Sequence, residues 1–287
     1  MMKSDKKIPY STKELWGKKA QEWDSWIGEE GDQNRQFQSD PILWELAGKI
    51  EGHTVLDSGC GTGYLSLQMA EKGAHVIGID FSAKMIDIAR ERAGENPFHV
   101  DFRVDSTSKL ETIQPESIDL VVSNYVLMDL PDLENAVSES HRVLRPRGKM
   151  VAVFSHPCFS DPRGPETVEK GSVRYRWDFS YFEEREREGE WGPFSTPFIS
   201  YHRPLSHYWK TFLSSGFVVT DFREPVVEPP APKEMRKEQF ERYRLLPGGA
   251  QDGPSATADR ESFRRSQDIA KLCRSATRSP ALPALLR

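Results

Sequence analysis

Cysteine is scarce: Cys60, Cys158 and Cys273 are the only three in 287 residues. They form no spaced framework for disulfides, and a reducing, cytoplasmic setting is the expectation. Long hydrophobic runs are absent too. The N-terminal MMKSDKKIPYSTKEL has no apolar signal core, and no segment approaches the ~18 apolar residues of a membrane-crossing helix. Positive charge is not in excess, since Lys+Arg 39 face Asp+Glu 44 for a formal net charge of −5. No global field therefore draws nucleic acid or a membrane surface, and neither is expected as a partner. What is present is enough chain for one large α/β domain with an insertion, or two small domains. An aromatic content of 10% allows a proper core.

Residues 11–50 read as helical, with Leu15, Trp16, Ala20 and Trp23, then Leu43, Leu46, Ala47 and Ile50, at helical spacing. The stretch SDPILWELAGKI offers Asp40 as an N-cap followed by Pro41. From residue 53 strands and helices alternate. Strands are expected at 53–58, 75–80, 99–104, 118–123 and 148–155, and helices at 62–72, 82–93 and 132–145, with a shorter piece near 106–113. A helix at 206–215 and a sixth strand at 216–223 follow. Such alternation demands an α/β fold, a Rossmann-like doubly wound, mostly parallel sheet with helices on both faces.

Two stretches break the rhythm. Residues 156–204 hold ten aromatic side chains around the solvated run EEREREGE, which suggests an aromatic-rich cap inserted after strand five. Residues 247–287 are rich in Ser, Arg, Ala and Pro and contain no strand-like run. The expected organisation is a helical cover (1–50), a Rossmann-like core (51–155), a substrate cap (156–204), the end of the core (205–228) and an atypical, mobile tail (229–287).

The stretch VLDSGCGTGYLS (55–66) carries Asp57, Gly59, Gly61 and Gly63 at the turn from the first strand into a helix. Without Cβ atoms these glycines tolerate unusual φ and let a ligand touch the backbone. A dinucleotide loop wants a glycine where Tyr64 stands, so that fingerprint fails and a nicotinamide-dependent reductase is disfavoured. Asp80 ends the second strand, where a carboxylate accepts from both ribose hydroxyls of an adenosine. Asp105 and Ser106 end the third, placed to meet an adenine amino group. A ligand with adenosine, a cationic ammonium and no pyrophosphate suits these carboxylates, and S-adenosylmethionine (SAM) has all three properties.

With these pieces the chain resembles the class I SAM-dependent methyltransferases, in particular the small-molecule, UbiE-like (type 11) branch. The resemblance rests on VLDSGCGTG, VIGIDFSAKMIDIAR, FRVDS, SIDLVVSNYVLMDLPDLENAVSESHRVLRPRGKMVAVFSH and GFVVTDFREP, in that order, over roughly residues 10–228. It implies that Asp57, Gly59 and Gly61 face the methionine moiety, that Asp80 holds the ribose, and that Phe81 and Met85 pack on the adenine. Asp105 and Ser106 would read the adenine edge, and Asn124 would lie beneath the sulfonium. Tyr10, Trp16 or Trp23 could contact the cofactor from the N-terminal cover, and Arg35 its carboxylate. S-adenosylhomocysteine would be the product.

Methyl transfer from a sulfonium is mainly positioning, and a base is needed only for a hydroxyl or a protonated amine. His156, after strand five, is the first choice, followed by Tyr201; His202, His207, Tyr125 and Asp129 are further candidates near the mouth. His202 and His207, five apart, do not share a helix face, and no metal site is expected. The aromatic cap favours a small organic acceptor, N-, O- or C-nucleophilic. Two rivals are a SAM-binding protein without transfer activity and a nucleic-acid methyltransferase. The latter would need prolines after strand four, where Asn124-Tyr125-Val126-Leu127 stands. The tail departs from the family, leaving the seventh strand without an obvious candidate. Either the sheet stops at six strands, exposing an edge open to a homodimer, or a segment of poor propensity is recruited.

Overall fold

Five parallel strands form where apolar runs follow glycine or turn residues: β1 (Thr54–Ser58), β2 (His75–Asp80), β3 (Val100–Val104), β4 (Ile118–Asn124) and β5 (Leu144–Val153). In this computed structural model, residues 11–94, 98–159, 166–168, 172–174, 179–190, 192–235, 240 and 274–278 are described. Tyr10, Tyr175, Trp177, Trp191 and most of the chain after 235 lie outside them. Leu56 of β1 sits in register between Ile77 of β2 and Val121 of β4, so the sheet's centre is sealed from water. Val55, Leu56, Val121, Val122 and Val151 are completely buried, and each such side chain contributes about 1.5–3 kcal/mol.

Helices cover both faces, as the alternation requires. α1 (Thr12–Lys18), α2 (Ala20–Ile27), α3 (Asp40–Ala47), α4 (Tyr64–Glu71) and α5 (Ala83–Ala93) lie with one face; α6 (Leu133–Val143) and α7 (Leu205–Ser214) cover the other. Local chemistry sets their starts. Ser11 and Glu14 form a capping box on α1, Ser82 caps α5, and Asp132 caps α6. Asp40 is not the expected N-cap: it continues a π-helical turn, Arg35–Ser39, and its carboxylate is used elsewhere. The expected piece near 106–113 is a set of turns organised by Asp105.

The sheet has seven strands in the order β10-β11-β5-β4-β1-β2-β3, where β10 is Phe217–Val219 and β11 is Arg274–Arg278. β10 is shorter than expected because the Asp221 carboxylate binds Phe222 N–H and Arg223 and turns the chain away. The seventh strand is present. The segment RSATR, of poor propensity, lies antiparallel between β5 (Ala276 opposite Met150) and β10 (Ala276 opposite Val219). A mobile tail is therefore corrected at these five residues: backbone pairing on two sides compensates for side chains that carry no strand pattern. Removing residues 248–287 should lower Tm by about 5 °C or more, since it strips one edge of β5 and leaves β10 unpaired. Thermal unfolding of the shortened chain checks this.

Between β5 and α7 lie two hairpins, β6 (Glu166–Val168) with β7 (Ser172–Arg174), and β8 (Arg185–Gly189) with β9 (Phe198–His202). Within the run EEREREGE, Arg185–Gly189 is thus a strand, half-buried because Arg185 and Arg187 lie over the Phe179 ring at 4.8 and 5.2 Å. The second hairpin is fastened to the N-terminal helices by aromatic rings. Trp16 meets Trp23 at 4.9 Å and Phe198 at 5.4 Å, and Phe194 meets Trp23 at 5.9 Å and Trp26 at 5.8 Å. Glu22 accepts Ser195 N–H at 2.9 Å beside them.

Candidate functional site

The C-terminal ends of four parallel strands border an open cleft of about 630 Å³. Taken along the sheet from β3, its wall begins at Ser106 and Thr107 and passes Asp80 and Phe81, with Met85 from α5. It continues over Gly59 and Gly61 to Asn124, Tyr125 and Val126, and ends at Asp129 and Leu130. Trp16, Trp23 and Arg35 close it from the N-terminal helices.

The loop after β1 is open by necessity. Gly59 has φ +85°, and an added Cβ would lie 2.5 Å from Val126 Cγ2. At Gly61 (φ +54°) a Cβ would point toward Trp23 Nε1, 3.5 Å away, into the space a ligand would use. Asp80 shapes this loop from below: it accepts Gly61 N–H at 3.2 Å and Ser82 N–H at 2.8 Å. A carboxylate has about four acceptor positions, so it retains capacity for hydroxyls in the cleft.

A buried polar network backs the other end. Asn124 Nδ2 donates to Tyr64 Oη at 2.9 Å and to Asp40 Oδ1 at 3.3 Å, and the Tyr64 hydroxyl donates to Asp40 Oδ2 at 3.2 Å. Asn124 Oδ1 is buried and has no hydrogen-bond partner, an acceptor in the cleft wall suited to a donor on a ligand. Arg35 pairs with Asp32 at 2.9 Å, and its guanidinium lies 4.9 Å from the Tyr125 ring centre and 5.3 Å from that of Trp23. Tyr125 holds φ +58°, a left-handed conformation strained for a tyrosine, with Asn34 Nδ2 donating to its hydroxyl at 2.7 Å. Acceptors, aromatic faces and one buried cation fit a zwitterionic, adenosine-bearing ligand with a positive centre.

A profile of the methyltransferase domain matches residues 49–193, about half of the chain. The chain belongs to the methyltransferase domain family. Among curated relatives, a ubiquinone biosynthesis O-methyltransferase of Bordetella avium is 38% identical over 106 residues, 37% of this chain and 44% of the relative. The chain spans about half the length of such relatives. Among solved structures, an S-adenosylmethionine-dependent methyltransferase assignment from Listeria monocytogenes is 25% identical with TM-score 0.61, covering 84% of this chain and 97% of that one. An S-adenosylmethionine dependent methyltransferase from Mesorhizobium loti shares the fold, at 22% identity and TM-score 0.65, covering 88% of this chain and 100% of that one. The class I, SAM-dependent expectation is borne out in fold and family.

The cleft and the network behind it concentrate carboxyl groups that burial makes hard to ionise. Asp57 is pushed up to about 7 by desolvation, with Asp80 and Asp40 adding to it and Ser66 opposing. Asp80 is pushed up to about 6 by desolvation, opposed by the Ser82 and Gly61 N–H groups. Asp40 is raised for the same first reason, with Arg35 pulling it back. Burial acts against the charge of Arg35, but Asp32, Tyr64, Tyr125 and Asp40 outweigh it and hold the guanidinium protonated.

Eight of the expected cofactor residues line the cleft: Gly59, Gly61, Asp80, Phe81, Met85, Ser106, Asn124 and Arg35. Three others do not. Asp57 is buried beneath the loop, where Ser66 Oγ donates to it at 2.5 Å. Gly63, at φ +84°, lies against Phe102 and Ala89 and lets α4 approach β3. Asp105 turns into its own loop, accepting from Ser106, Glu111 and Thr112 N–H and from Thr112 Oγ1.

Both favoured bases stand outside the cleft wall. His156 accepts Cys158 N–H at Nδ1 (3.1 Å) and faces Glu224 with Nε2 (3.1 Å), so neither nitrogen is free. Tyr201 is buried against Leu15 and Ile199, its hydroxyl 3.5 Å from Thr12 Oγ1. Replacing His156 by Ala should lower Tm, by orphaning buried Glu224, yet leave SAM affinity within about twofold; calorimetry on the variant checks both. Asp129, a lesser candidate, does line the cleft. Tyr64 and Asp40 were invisible as site residues, although a bulky hydroxyl-bearing residue in the place of a glycine was the available signal. Among the described residues no group of three His, Cys, Asp or Glu side chains could hold a metal, and no helix is long and apolar enough to cross a membrane.

Proposed function

We propose that the cleft binds S-adenosylmethionine and transfers its methyl group to a small organic acceptor. The single observation that carries this reading is the convergence of glycine backbone, raised-pKa carboxyls and aromatic rings on one cavity at the strand ends. A bound cation relieves what burial makes unfavourable for those carboxylates. In this reading Asp80 takes the ribose hydroxyls, Phe81 and Met85 flank the adenine, and Ser106 and Thr107 meet its edge. Gly59, Gly61 and Asn124 face the methionine portion, and Arg35 its carboxylate. SAM supplies an activated methyl group on a sulfonium; the protein orients donor and acceptor, excludes water with Trp16 and Trp23, and holds the acceptor's proton-accepting partner. Relatives named O-methyltransferases make a hydroxyl the first acceptor to test. We place the reaction in the cytoplasm and take a homodimer through edge strand β10 as its quaternary expectation, checked by sedimentation.

Isothermal titration with SAM, S-adenosylhomocysteine and NADH, with transfer from methyl-labelled SAM to phenols, catechols and amines, tests the reading. Tight SAM binding with turnover supports it. Tight SAM binding without turnover on any acceptor favours a binding protein, and preferential NADH binding overturns it.

A further inference from the structure

The cleft ends at a carboxylate that accepts no hydrogen bond among the described residues. Asp129 closes a 3₁₀ turn, Leu127–Asp129, that follows β4. Leu127 is fully buried and Asp129 N–H donates to Val126 O at 2.9 Å, fixing the turn from within. Immediately beyond, Arg203 Nη2 donates to Leu130 O at 2.6 Å and Pro131 O at 3.1 Å, which fixes it from outside. The backbone is held on both sides and Asp129 lines the cleft, yet among the described residues nothing hydrogen-bonds or ion-pairs with its carboxylate. It stands at the β4 end, across the glycine loop from Asp80 and Ser106.

Lys19 is its electrostatic partner. It sits between α1 and α2, 1% exposed, its Nζ donating to Pro197 O at 2.6 Å and lying 3.4 Å from the Phe198 ring centre. That is an unusual place for a lysine, since buried ammonium groups are rare without a pairing carboxylate. No hydrogen bond or ion pair joins Lys19 to Asp129 among the described residues, and its positive charge favours the ionised form of that carboxylate.

We propose that Asp129 is the catalytic base on the acceptor side of the cleft and that Lys19 is a positioning residue that tunes it. The inference rests on the methyltransferase reading and adds the acceptor class: a nucleophile that carries a proton, a hydroxyl or a protonated amine, rather than a carbon or a thioether. As the acceptor heteroatom bonds to the methyl carbon, the carbon–sulfur bond breaks and its electron pair stays on sulfur, leaving a neutral thioether. The acceptor's proton passes to the Asp129 carboxylate and from there to water.

Burial pushes Asp129 up to about 7, with Lys19 and Arg35 pulling it down, so near neutral pH it both accepts and releases a proton. Of the groups behind it, Tyr208 on α7 is pushed up to about 12, first by burial. Tyr201 on β9 and Glu134 on α6 are engaged with Thr12 and His207, and Arg203 with the two carbonyls. Among the positive charges, Lys19 and Arg35 pull Asp129 down.

The test uses the full chain with aspartate labelled by ¹³C at the carboxyl, in wild type, Asp129→Asn and Lys19→Met. The signal missing in Asp129→Asn identifies Asp129. A wild-type midpoint near 7 that rises by about one pH unit in Lys19→Met is the expected result. A midpoint near 4, or one that Lys19→Met leaves in place, overturns the proposal. Catechol and benzylamine serve as probes in single-turnover transfer from methyl-labelled SAM. Asp129→Asn should lose about 100-fold or more, and the rising limb of the pH–rate profile should move to higher pH in Lys19→Met. Transfer unchanged in Asp129→Asn also overturns it. SAM titration of wild type stands apart: failure to bind there overturns the methyltransferase reading, whereas all three proteins binding SAM within about twofold confines any loss to the acceptor step.

Discussion

Replacing Asp80 by Ala should raise the SAM dissociation constant by about 100-fold or more. Two effects combine. The carboxylate holds the Gly61 and Ser82 N–H groups that shape the loop, and its free acceptor positions are the ones proposed for the ribose. Hydrogen bonds to a charged group contribute about 1.5–3 kcal/mol each, and 1.4 kcal/mol is tenfold in affinity. The Asp80→Asn variant separates charge from shape, because it keeps one acceptor oxygen. The pH dependence gives a second reading. Asp80 is pushed up to about 6, so below pH 6 a growing fraction is protonated and must ionise to accept both hydroxyls. SAM affinity in wild type should rise from pH 5 to pH 7, by up to about tenfold per pH unit below 6. Asp80→Asn should bind weakly and keep only the part of that dependence that Asp57 carries. Titration calorimetry at pH 5, 6, 7 and 8 checks it, and an Asp80→Ala protein that binds SAM normally would overturn the assignment.

Asp57→Asn should stabilise the ligand-free protein above neutral pH. The folded-state pKa of Asp57 is about 7 against an ordinary 3.8, so the folded chain holds this proton more tightly than the unfolded one. A raised pKa contributes stability that is fully present below about pH 4 and is lost as pH rises through 7. Some 3 pH units correspond to about 4 kcal/mol between those limits, an upper bound on what neutralising the side chain recovers at pH 8. Ser66 can still donate to the amide oxygen, so the hydrogen bond survives the change. Tm should therefore rise by about 5 °C or more at pH 8 and stay unchanged at pH 4. The gain comes with weaker SAM binding, because the buried negative charge under the glycine loop attracts a cation above it. Scanning calorimetry across pH 4–8 decides the matter; a destabilised Asp57→Asn at pH 8 would be the contrary result.

The parts legible in the sequence are those governed by local rules. Each of β1 to β4 was expected within a residue or two, because apolar runs bounded by Gly, Asp or Asn carry their own punctuation. Asp80 was legible because a residue at the end of a parallel strand must lie at the cleft edge. Asp57 was misplaced for want of its neighbour: its side chain stays under the loop because Ser66, nine residues on, is there to bond it. His156 and Tyr201 were misplaced for a longer-range reason. Glu224 and Thr12, which hold them, are 68 and 189 positions away, and no spacing rule reaches so far. Arg274–Arg278 defeats pattern reading differently, since its place in the sheet depends on backbone groups and on two exposed flanks. Asp129 stood among the candidates but lost to His156. What distinguishes them is satisfaction: His156 has two bonded partners, whereas among the described residues nothing hydrogen-bonds to the Asp129 carboxylate.

The ring contacts that join Trp16 and Trp23 to Phe194 and Phe198 have a bearing on turnover. The two tryptophans close the cleft, and the hairpin that holds the phenylalanines is also tied to them through Glu22 and Lys19. Cover and hairpin are therefore one packed unit, and moving the tryptophans off the cleft means moving the hairpin with them. A ligand entering or leaving past Trp16 and Trp23 would share that step, and motions of this kind commonly take microseconds to milliseconds.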